Sequence, residues 1–267
     1  MYTQTMNDPP RVVIVLPAYN AAKTLEKTYA DIPKEFVSNI ILVDDVSQDQ
    51  TVDVARSLGL SVVIHIQNRG YGGNQKTCYL ESLRLGADIV VMLHPDHQYD
   101  SRLIPQLVRP IIDGTADMVI GSRIMNGMAL QGGMPLWKFV ANRGLTIAEN
   151  LIYRTRLTDG HSGFRAFSRR LLTTVPFLLN SDDFVFDSQV IAQALRFGFT
   201  IAEIPVQARY FPEASSVNFR VSSIYGIKTV GVMIAFLLEK IGIGHFQYLE
   251  KSLAEVISRH HHSEIFR

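Results

Sequence analysis

The chain has 267 residues, of which 47% are hydrophobic and 19% charged, a composition that supports one large folded domain and excludes a disordered chain. Its 26 Lys and Arg residues nearly balance 25 Asp and Glu residues, which argues against a nucleic-acid-binding protein. A single cysteine, Cys78, excludes an internal disulfide and a cysteine-rich zinc site. The polar N-terminus lacks the apolar core of a signal peptide, so we expect a cytoplasmic protein.

In the first half of the chain, short runs rich in β-branched residues alternate with segments of helical spacing. The predicted buried strands are residues 12–16, 40–43, 62–66, 89–93 and 118–120. The predicted helices are residues 24–30, 51–58, 75–85 and 103–112. This alternation predicts an α/β fold with a mostly parallel central sheet and helices on both faces. The carboxyl ends of the strands form the ligand crevice of such a sheet.

The alternation becomes irregular after residue 121. The pattern there predicts helices at 138–153 and 185–197, a strand at 200–206 and an apolar helix followed by a polar one after 220. We therefore divide the chain into a domain of residues 1–220 and a C-terminal helical extension of residues 221–267. The longest apolar run, 229–238, is half of the roughly 20 residues that a spanning helix needs. We expect it not to cross a bilayer but to pack on the domain, form a dimer seam or lie in a membrane interface.

Two polar clusters at strand ends indicate a nucleotide site. Asp44 and Asp45 can accept hydrogen bonds from a base or a ribose, although such a pair also serves as a helix cap or a turn. The glycine-rich stretch 70–73 lets backbone amides approach a phosphate, with an ordinary tight turn as the alternative. It lacks the third glycine of a dinucleotide fingerprint, and Pro17 follows the first strand, which argues against an oxidoreductase.

Two further clusters indicate metal and phosphate binding. His94, Asp96 and Gln98 alternate along an extended segment after the most hydrophobic strand, so their side chains can hold a divalent ion beside a diphosphate. The alternative is that these side chains lie on a loop and bind no metal. Arg123 and Arg165 can bind phosphate if they face the crevice, whereas a surface arginine is usually only solvated.

Taken together, these clusters resemble glycosyltransferase family 2, and within it the dolichyl- and polyprenyl-phosphate sugar transferases. The matching stretches, in the order of the family, are residues 16–20, 43–51, 68–73, 96–98, 121–123 and 159–166. The resemblance implies a GT-A fold and an inverting hexosyltransferase that uses a UDP- or GDP-sugar. The acceptor is either a polyprenyl phosphate or a soluble hydroxyl compound. The alternative function is a non-catalytic relative that binds sugar nucleotides as a sensor or an assembly subunit.

The resemblance also assigns roles to individual residues. Those expected to bind substrate are Pro17, Tyr19, Asn20, Asp44, Asp45, Asn68 and Gly72. The loop 210–220 departs from the Gly-Ser-Lys-type loop of the family, but its Ser216 and Arg220 can still close over the phosphates. Asp96 and Gln98 match the positions that hold Mn²⁺ or Mg²⁺, and His94 stands where the family usually has Asp. Imidazole suits Mn²⁺ better than Mg²⁺. Arg123 and Arg165 match catalytic basic residues near the diphosphate or the acceptor phosphate.

The acceptor decides whether a general base is required. A lipid phosphate is already ionised, whereas a hydroxyl needs a carboxylate within hydrogen-bond reach. Among Asp159, Asp182, Asp183 and Asp187 we rank Asp159 first, because it precedes the Ser-Gly-Phe-Arg motif. The pair of C-terminal spanning helices of the membrane-embedded relatives is missing, so we expect acceptor delivery to differ from theirs. The apolar C-terminal helix leaves two further expectations open, a membrane-peripheral protein and a homo-oligomer.

Overall fold

The computed structural model describes residues 9–210 and 219–258. The strands are β1 (Val12–Ala18), β2 (Asn39–Asp44), β3 (Ser61–Ile64), β4 (Ile89–Met92), β5 (Met118–Ser122), β6 (Arg165–Ser168) and β7 (Ile201–Pro205). The helices are α1 (Ala22–Ala30), α2 (Thr51–Ser57), α3 (Gly70–Arg84), α4 (Ile104–Ile112), α5 (Met128–Gln131), α6 (Leu136–Tyr153), α7 (Arg169–Thr174), α8 (Phe186–Arg196), α9 (Phe219–Lys240), α10 (Gln247–Glu250) and α11 (Leu253–Ser258). Short 3-10 turns cover Lys34–Phe36, Ser101–Leu103, Met125–Gly127 and Phe177–Leu179.

The strands form one seven-stranded sheet in the order β3-β2-β1-β4-β6-β5-β7. All pairings are parallel except those of β6, which runs antiparallel to β4 and β5. The chain runs outward from β1 to β3 and then returns to β4 on the other side of β1, so a crevice opens at their carboxyl ends. Because β6 runs the opposite way, its first residue, Arg165, lies at the same edge, paired with Met92 and Ile120.

The sheet is covered on both faces because successive side chains of a strand point to opposite sides. Val13 and Val15 of β1 belong to a core that includes Tyr79 of α3 and residues of α7, α8 and α9. Ile14 and Leu16 belong to the opposite core, with residues of α1, α2 and α4. The predicted mostly parallel sheet with helices on both faces is therefore confirmed. Cys78 is buried in the first of these cores, and burial raises the pKa of its thiol well above the usual value.

Two predicted elements differ from those observed. The strand predicted at 62–66 is not buried: β3 pairs only with β2 at the sheet edge, and Ile66 lies beyond it, fully exposed. Helix α3 begins at Gly70 rather than at residue 75, so the glycine-rich stretch forms its first turn and not a loop. Asp45 caps that turn by accepting hydrogen bonds from the amides of Arg69 and Gly70 at 2.7 and 2.9 Å.

The C-terminal apolar helix is longer than its apolar run. Helix α9 has 22 residues, and its segment Arg220–Lys240 is long and apolar enough to cross a membrane by length and composition alone. The apolar run 229–238 predicted too short a helix, because Lys228 ends the apolar run but does not end the helix. One face of α9 packs on α6 and α8 through Thr229, Val232 and Phe236, which are buried. The division of the chain at residue 220 stays a prediction.

Candidate active site

A cavity of about 670 Å³ opens at the carboxyl ends of the strands. The predicted site residues that line it are Pro17, Tyr19, Asn20, Asp45, Asn68, His94, Asp96, Gln98 and Arg123. Five other predicted site residues do not line the described part of the cavity. They are Asp44, Gly72, Asp159, Arg165 and Arg220. Ser216 lies outside the described residues. Nine of the predicted site residues therefore line the cavity, and the exceptions have physical reasons.

Asp44 and Asp45 differ in what they contact. Asp45 lines the cavity, but its oxygens already accept from two backbone amides and from His65 Nδ1 at 2.7 Å. Asp44 is buried away from the cavity, where it accepts from the Ser47 amide at 3.0 Å. The turn-forming alternative therefore describes Asp44, and its predicted contact with the nucleotide was wrong. Asn68 supports the same loop by donating to the backbone oxygen of Asp45 at 3.0 Å.

Gly72 packs against backbone and does not present a free amide. A Cβ at this position would lie only 2.3 Å from the Ser181 carbonyl oxygen, so no larger residue fits. The Gly72 amide donates to the Asp182 carbonyl at 2.8 Å. Because this protein acceptor occupies the amide, the predicted phosphate contact was wrong. The glycine instead allows the close approach of the segment 181–182.

The three predicted metal ligands follow β4 and all line the cavity. Asp96 accepts from the Gln98 amide at 3.1 Å, and His97 between them has φ +57°, which turns the segment sharply. Burial raises the pKa of the Asp96 carboxyl, whereas the neighbouring His94 lowers it. Within the described residues, no three His, Cys, Asp or Glu side chains converge as a metal site. The donor set is thus one carboxylate, one imidazole and one amide, a set that fits Mn²⁺ if diphosphate oxygens complete it.

Arg123 lines the cavity wall and is held from behind by Asp159. Its Nε and one terminal nitrogen donate to the two Asp159 oxygens at 2.7 and 2.9 Å, and Asn142 donates to the same carboxylate at 2.8 Å. Burial acts to raise the pKa of Asp159, but the Arg123 charge and these hydrogen bonds outweigh it and hold the pKa well below its usual range. Both Asp159 oxygens are buried and accept from Arg123 and Asn142, so this carboxylate cannot reach a hydroxyl in the cavity, and its low pKa makes it a poor base. The prediction of Asp159 as the base was therefore wrong.

Arg165 is buried and does not face the cavity. It donates to the carbonyl oxygens of Ser162 and Gly160 at 2.6 and 3.1 Å and pairs with Asp187 at 3.3 Å. Because the guanidinium is buried and each of its nitrogens already faces a protein acceptor, it is not placed to bind a phosphate in the cavity, and that predicted role was wrong. Arg165 instead fixes the loop that precedes β6. Asp187 does line the cavity, where Tyr71 donates to it at 2.8 Å.

The remaining candidates for a general base pair with lysines. Asp182 contacts Lys76 at 2.6 Å, and Asp183 contacts Lys228. Neither side chain belongs to the described cavity wall.

The end of the cavity away from β1 lies between α6 and α9, where Arg123, Lys138, Ser222 and Tyr225 line it. We call this the acceptor end. Sequence patterns did not indicate Lys138 or Tyr225, because each lies in a helix with no motif around it. The hydroxyl of Tyr225 contacts His161 Nδ1 at 2.6 Å and Ser188 Oγ at 3.0 Å, which ties α9 to the loop before β6.

Behind His161 lies a second buried group that the sequence did not indicate. Glu149 of α6 faces His161 Nε2 at 3.4 Å, and its Oε1 has no hydrogen-bond partner among the described residues. Burial raises the pKa of Glu149 to about 8 and lowers the pKa of His161 to about 4. Both groups are therefore neutral at pH 7. A pKa near 4 makes His161 a weak base, and its Nδ1 already contacts the Tyr225 hydroxyl, while a protonated Glu149 cannot accept a proton.

Comparison with known proteins identifies the family. Residues 13–175 match the model of "Glycosyl transferase family 2". The chain belongs to glycosyltransferase family 2. The family predicted from the strand-end motifs, a family of glycosyltransferase enzymes, is thereby confirmed.

Two curated relatives of this family 2 glycosyltransferase come from archaea. An uncharacterized protein of Methanocaldococcus jannaschii is 32% identical over 86% of this chain and 92% of its own length. The UDP-N-acetylglucosamine–dolichyl-phosphate N-acetylglucosaminyltransferase of Methanococcus voltae is 30% identical over 74% of this chain and 86% of its own length.

Solved structures support the fold of this glycosyltransferase. The glucosyl-3-phosphoglycerate synthase of Mycobacterium tuberculosis superposes with a TM-score of 0.65 and 24% identity, over 88% of this chain and 81% of the synthase. The likeness confirms the predicted GT-A fold.

Proposed function

We propose that the enzyme transfers a sugar from a UDP-sugar to the phosphate group of a polyprenyl phosphate, with inversion at the anomeric carbon and with a divalent cation bound at the donor. The observation that carries the proposal is the charge of the cavity wall. Arg123 and Lys138 supply positive charge at the acceptor end, and the described wall offers no carboxylate there that is free to take a proton.

The carboxylates of the described wall are Asp45, Asp96 and Asp187. The oxygens of Asp45 and Asp187 already accept hydrogen bonds from protein donors. Asp96 is itself one of the proposed metal ligands, together with His94 and Gln98, so its oxygens are assigned to the cation. A hydroxyl acceptor needs a base within hydrogen-bond reach, whereas an ionised phosphate oxygen attacks without one. A phosphate acceptor therefore suits this wall, and Arg123 can donate to it from Nη1, because its other guanidinium nitrogens already donate to Asp159 and His161.

The donor end supports a nucleoside diphosphate sugar. The Tyr19 side chain is 57% exposed at the cavity rim, where its ring offers a stacking surface for a base. The relative from Methanococcus voltae is named for a UDP-sugar. Crystals of the mycobacterial synthase hold Mn²⁺ together with UDP-glucose. These names favour uridine over guanosine as the donor base.

The proposed cation sits at His94, Asp96 and Gln98. When bound, a divalent cation stabilises the negative charge that develops on the departing diphosphate. Mn²⁺ is favoured over Mg²⁺ because one of the ligands is an imidazole. In this scheme the chain's own residues bind the donor and hold the acceptor phosphate with Arg123 and Lys138.

Two neighbouring helices present an apolar face beside the acceptor end. The exposed side chains that define this apolar face are Leu136, Val140, Ile147 and Leu151 of α6 and Ile224, Ile227, Val230 and Ile234 of α9. Their spacing places each set on one stripe of its helix. We propose that the apolar face rests on a lipid surface, so that a polyprenyl chain stays in the membrane while its phosphate enters the cavity. The packing of α9 on α6 and α8 favours contact along the surface over a transmembrane position.

The acceptor assignment is tested with matched acceptors of equal chain length. Purified enzyme is incubated with UDP-N-acetylglucosamine or UDP-glucose and Mn²⁺, with GDP-sugars in parallel, and with a polyprenyl phosphate or the corresponding polyprenol in vesicles. We expect transfer to the phosphate, none to the alcohol, and loss of transfer with EDTA. Phosphoglyceric acid, which the mycobacterial synthase binds in its crystals, serves as the soluble acceptor. Transfer to the polyprenol or only to the soluble acceptor would contradict the proposal.

A further inference from the structure

The imidazole of His94 is held by a chain of hydrogen bonds that begins in the protein core. Asp187 Oδ1 accepts from Gln75 Nε2 at 3.1 Å and pairs with Arg165 at 3.3 Å. Asp187 Oδ2 accepts from the Tyr71 hydroxyl at 2.8 Å. The carboxylate can only accept, so the single hydroxyl proton of Tyr71 is used in this bond.

The direction of that bond determines the proton position on His94. The Tyr71 oxygen lies 3.3 Å from His94 Nε2. Because its proton points to Asp187, the oxygen acts as an acceptor toward His94, and Nε2 must carry the ring proton. Nδ1 then keeps a lone pair.

Steric contacts fix the ring in the same orientation. A Cβ on Gly163 would lie 2.7 Å from both Cδ2 and Nε2 of His94, so the backbone there closes over that edge of the imidazole. The ring of Tyr71 stacks on His94 with centroids 5.5 Å apart and an interplanar angle of 21°. Nδ1 lies on the opposite side of the ring, and no hydrogen bond reaches it from residues 9–210 or 219–258.

We propose that Tyr71 and Asp187 are positioning residues that fix His94 in the Nε2–H tautomer and leave Nδ1 as its metal-ligand atom. The inference rests on the proposed function, since it concerns the cation that His94 and Asp96 would hold. A partner on the second nitrogen of a ligand histidine orients the ring and raises its basicity, and loss of such a partner typically weakens metal binding by about 10- to 100-fold. Here a tyrosine hydroxyl stands between the histidine and the carboxylate.

Two measurements on the full-length protein test this inference. The first is ¹⁵N NMR of the metal-free enzyme labelled at histidine, with the His94 signals assigned from a His94→Gln variant. We expect an unprotonated Nδ1 and a protonated Nε2 for His94 in the wild type, and a loss of this fixed tautomer in Tyr71→Phe. A protonated Nδ1 in the wild type would overturn the inference without any variant.

The second measurement is Mn²⁺ binding in the presence of UDP, followed by the electron paramagnetic resonance signal of free Mn²⁺. We expect Tyr71→Phe to weaken Mn²⁺ binding by about 10-fold or more. The control is Tyr153→Phe, which removes another buried hydroxyl, one with no hydrogen-bond partner in the described structure, and should leave Mn²⁺ affinity unchanged. Equal affinity of Tyr71→Phe and wild type would overturn the inference, whereas absence of Mn²⁺ uptake by the wild type would overturn the proposed metal site itself.

Discussion

Arg123 owes its place in the cavity wall to Asp159, a carboxylate that never reaches the cavity. The pair is bidentate, and the Asp159 side chain is fully buried. Removing one partner of such a pair leaves a buried charge without compensation. We therefore expect Asp159→Asn to lower the free energy of unfolding by about 3 kcal/mol, as measured by urea denaturation.

An exposed ion pair provides the control for this substitution. Asp113→Asn removes the partner of Arg109, whose side chain is 70% exposed, at a spacing of four residues. Such pairs contribute about 0.5 kcal/mol or less. Equal destabilisation by the two substitutions would show that the buried Arg123–Asp159 pair contributes no more to the free energy of unfolding than an exposed pair.

Glu149 gives the stability of the protein a pH dependence of its own. Burial raises its pKa to about 8 from 4.5, so the folded state holds a proton that the unfolded state has already lost at neutral pH. The resulting stabilisation is complete below the unfolded pKa and is lost as the pH rises through the folded pKa. Below pH 6.5 the lowered pKa of His161 acts in the opposite direction. The effect of Glu149 is therefore clearest between pH 6.5 and 8.

Replacing Glu149 with Gln should remove that dependence. From pH 6.5 to 8 we expect the wild type to lose about 2 kcal/mol of stability that Glu149→Gln retains. Urea denaturation of both proteins at several pH values within this range measures the difference. Parallel stability curves would mean that Glu149 is already ionised in the folded protein.

Single residues were predictable where the motif residue itself faces the cavity, as with Asn68, Asp96 and Arg123. The sequence could not separate these from motif residues that support them. Gly72 belongs to the same motif as Asn68 yet packs on Ser181, and Arg165, in the motif 159–166, is buried under backbone carbonyls. Burial and hydrogen-bond direction depend on segments distant in sequence, so spacing alone does not reveal them.

At the scale of elements, α9 carries the proposed membrane contact. Ile227 is 74% exposed on its outer stripe, and burial of such a side chain in lipid contributes about 1.5–3 kcal/mol. We expect Ile227→Glu to reduce binding to anionic lipid vesicles by about 10-fold or more, as measured by flotation. The control is Ile66→Glu at the fully exposed Ile66, beyond the edge strand β3.

The vesicle result distinguishes the two uses of the apolar face. If the wild type and Ile66→Glu bind the vesicles and Ile227→Glu does not, the result supports contact of the apolar face with a lipid surface. Protein that stays in solution as a stable dimer, and that Ile227→Glu converts to a monomer, would contradict the membrane proposal and assign the face to a second copy of the chain.

The types of the elements were more predictable than their limits. Strands β1, β2, β4 and β5 follow from their β-branched runs, because fully buried strands need no alternation. Helix α3 starts earlier than predicted because Asp45 caps it from the end of β2, a contact over 24 residues that local propensity does not contain. The length of α9 depends on packing against α6 and α8, which holds Lys228 within the helix.

At the scale of the whole molecule, donor binding should stabilise the fold. A ligand that binds only the native state at 100 times its dissociation constant adds about 2.7 kcal/mol, which for a chain of this size raises the Tm by about 5–10 °C. We expect UDP with Mn²⁺ to produce such a shift in a thermal unfolding assay, and EDTA to reduce it. The control Asp96→Asn should melt like the wild type without ligand and lose the Mn²⁺-dependent part. An identical shift with EDTA would exclude the metal from donor binding.

The architecture was predictable because the alternation of strands and helices admits few parallel topologies, and the strand-end motifs selected one of them. The antiparallel insertion of β6 between β4 and β5 was not predictable from the run at 164–167. That insertion brings the loop 159–164 to the crevice and so builds the acceptor end. The acceptor itself depends on which side chains of α6 and α9 meet there, and this follows only from the assembled fold.

The most direct test of the central claim is the structure of the reaction product. The enzyme is supplied with UDP-N-acetylglucosamine, Mn²⁺ and a short polyprenyl phosphate, and the product is examined by ³¹P and ¹H NMR. We predict a new phosphodiester between the anomeric carbon and the lipid phosphate, with the anomeric configuration opposite to that of the donor. A sugar attached to a hydroxyl oxygen, or a phosphodiester of retained configuration, would contradict it.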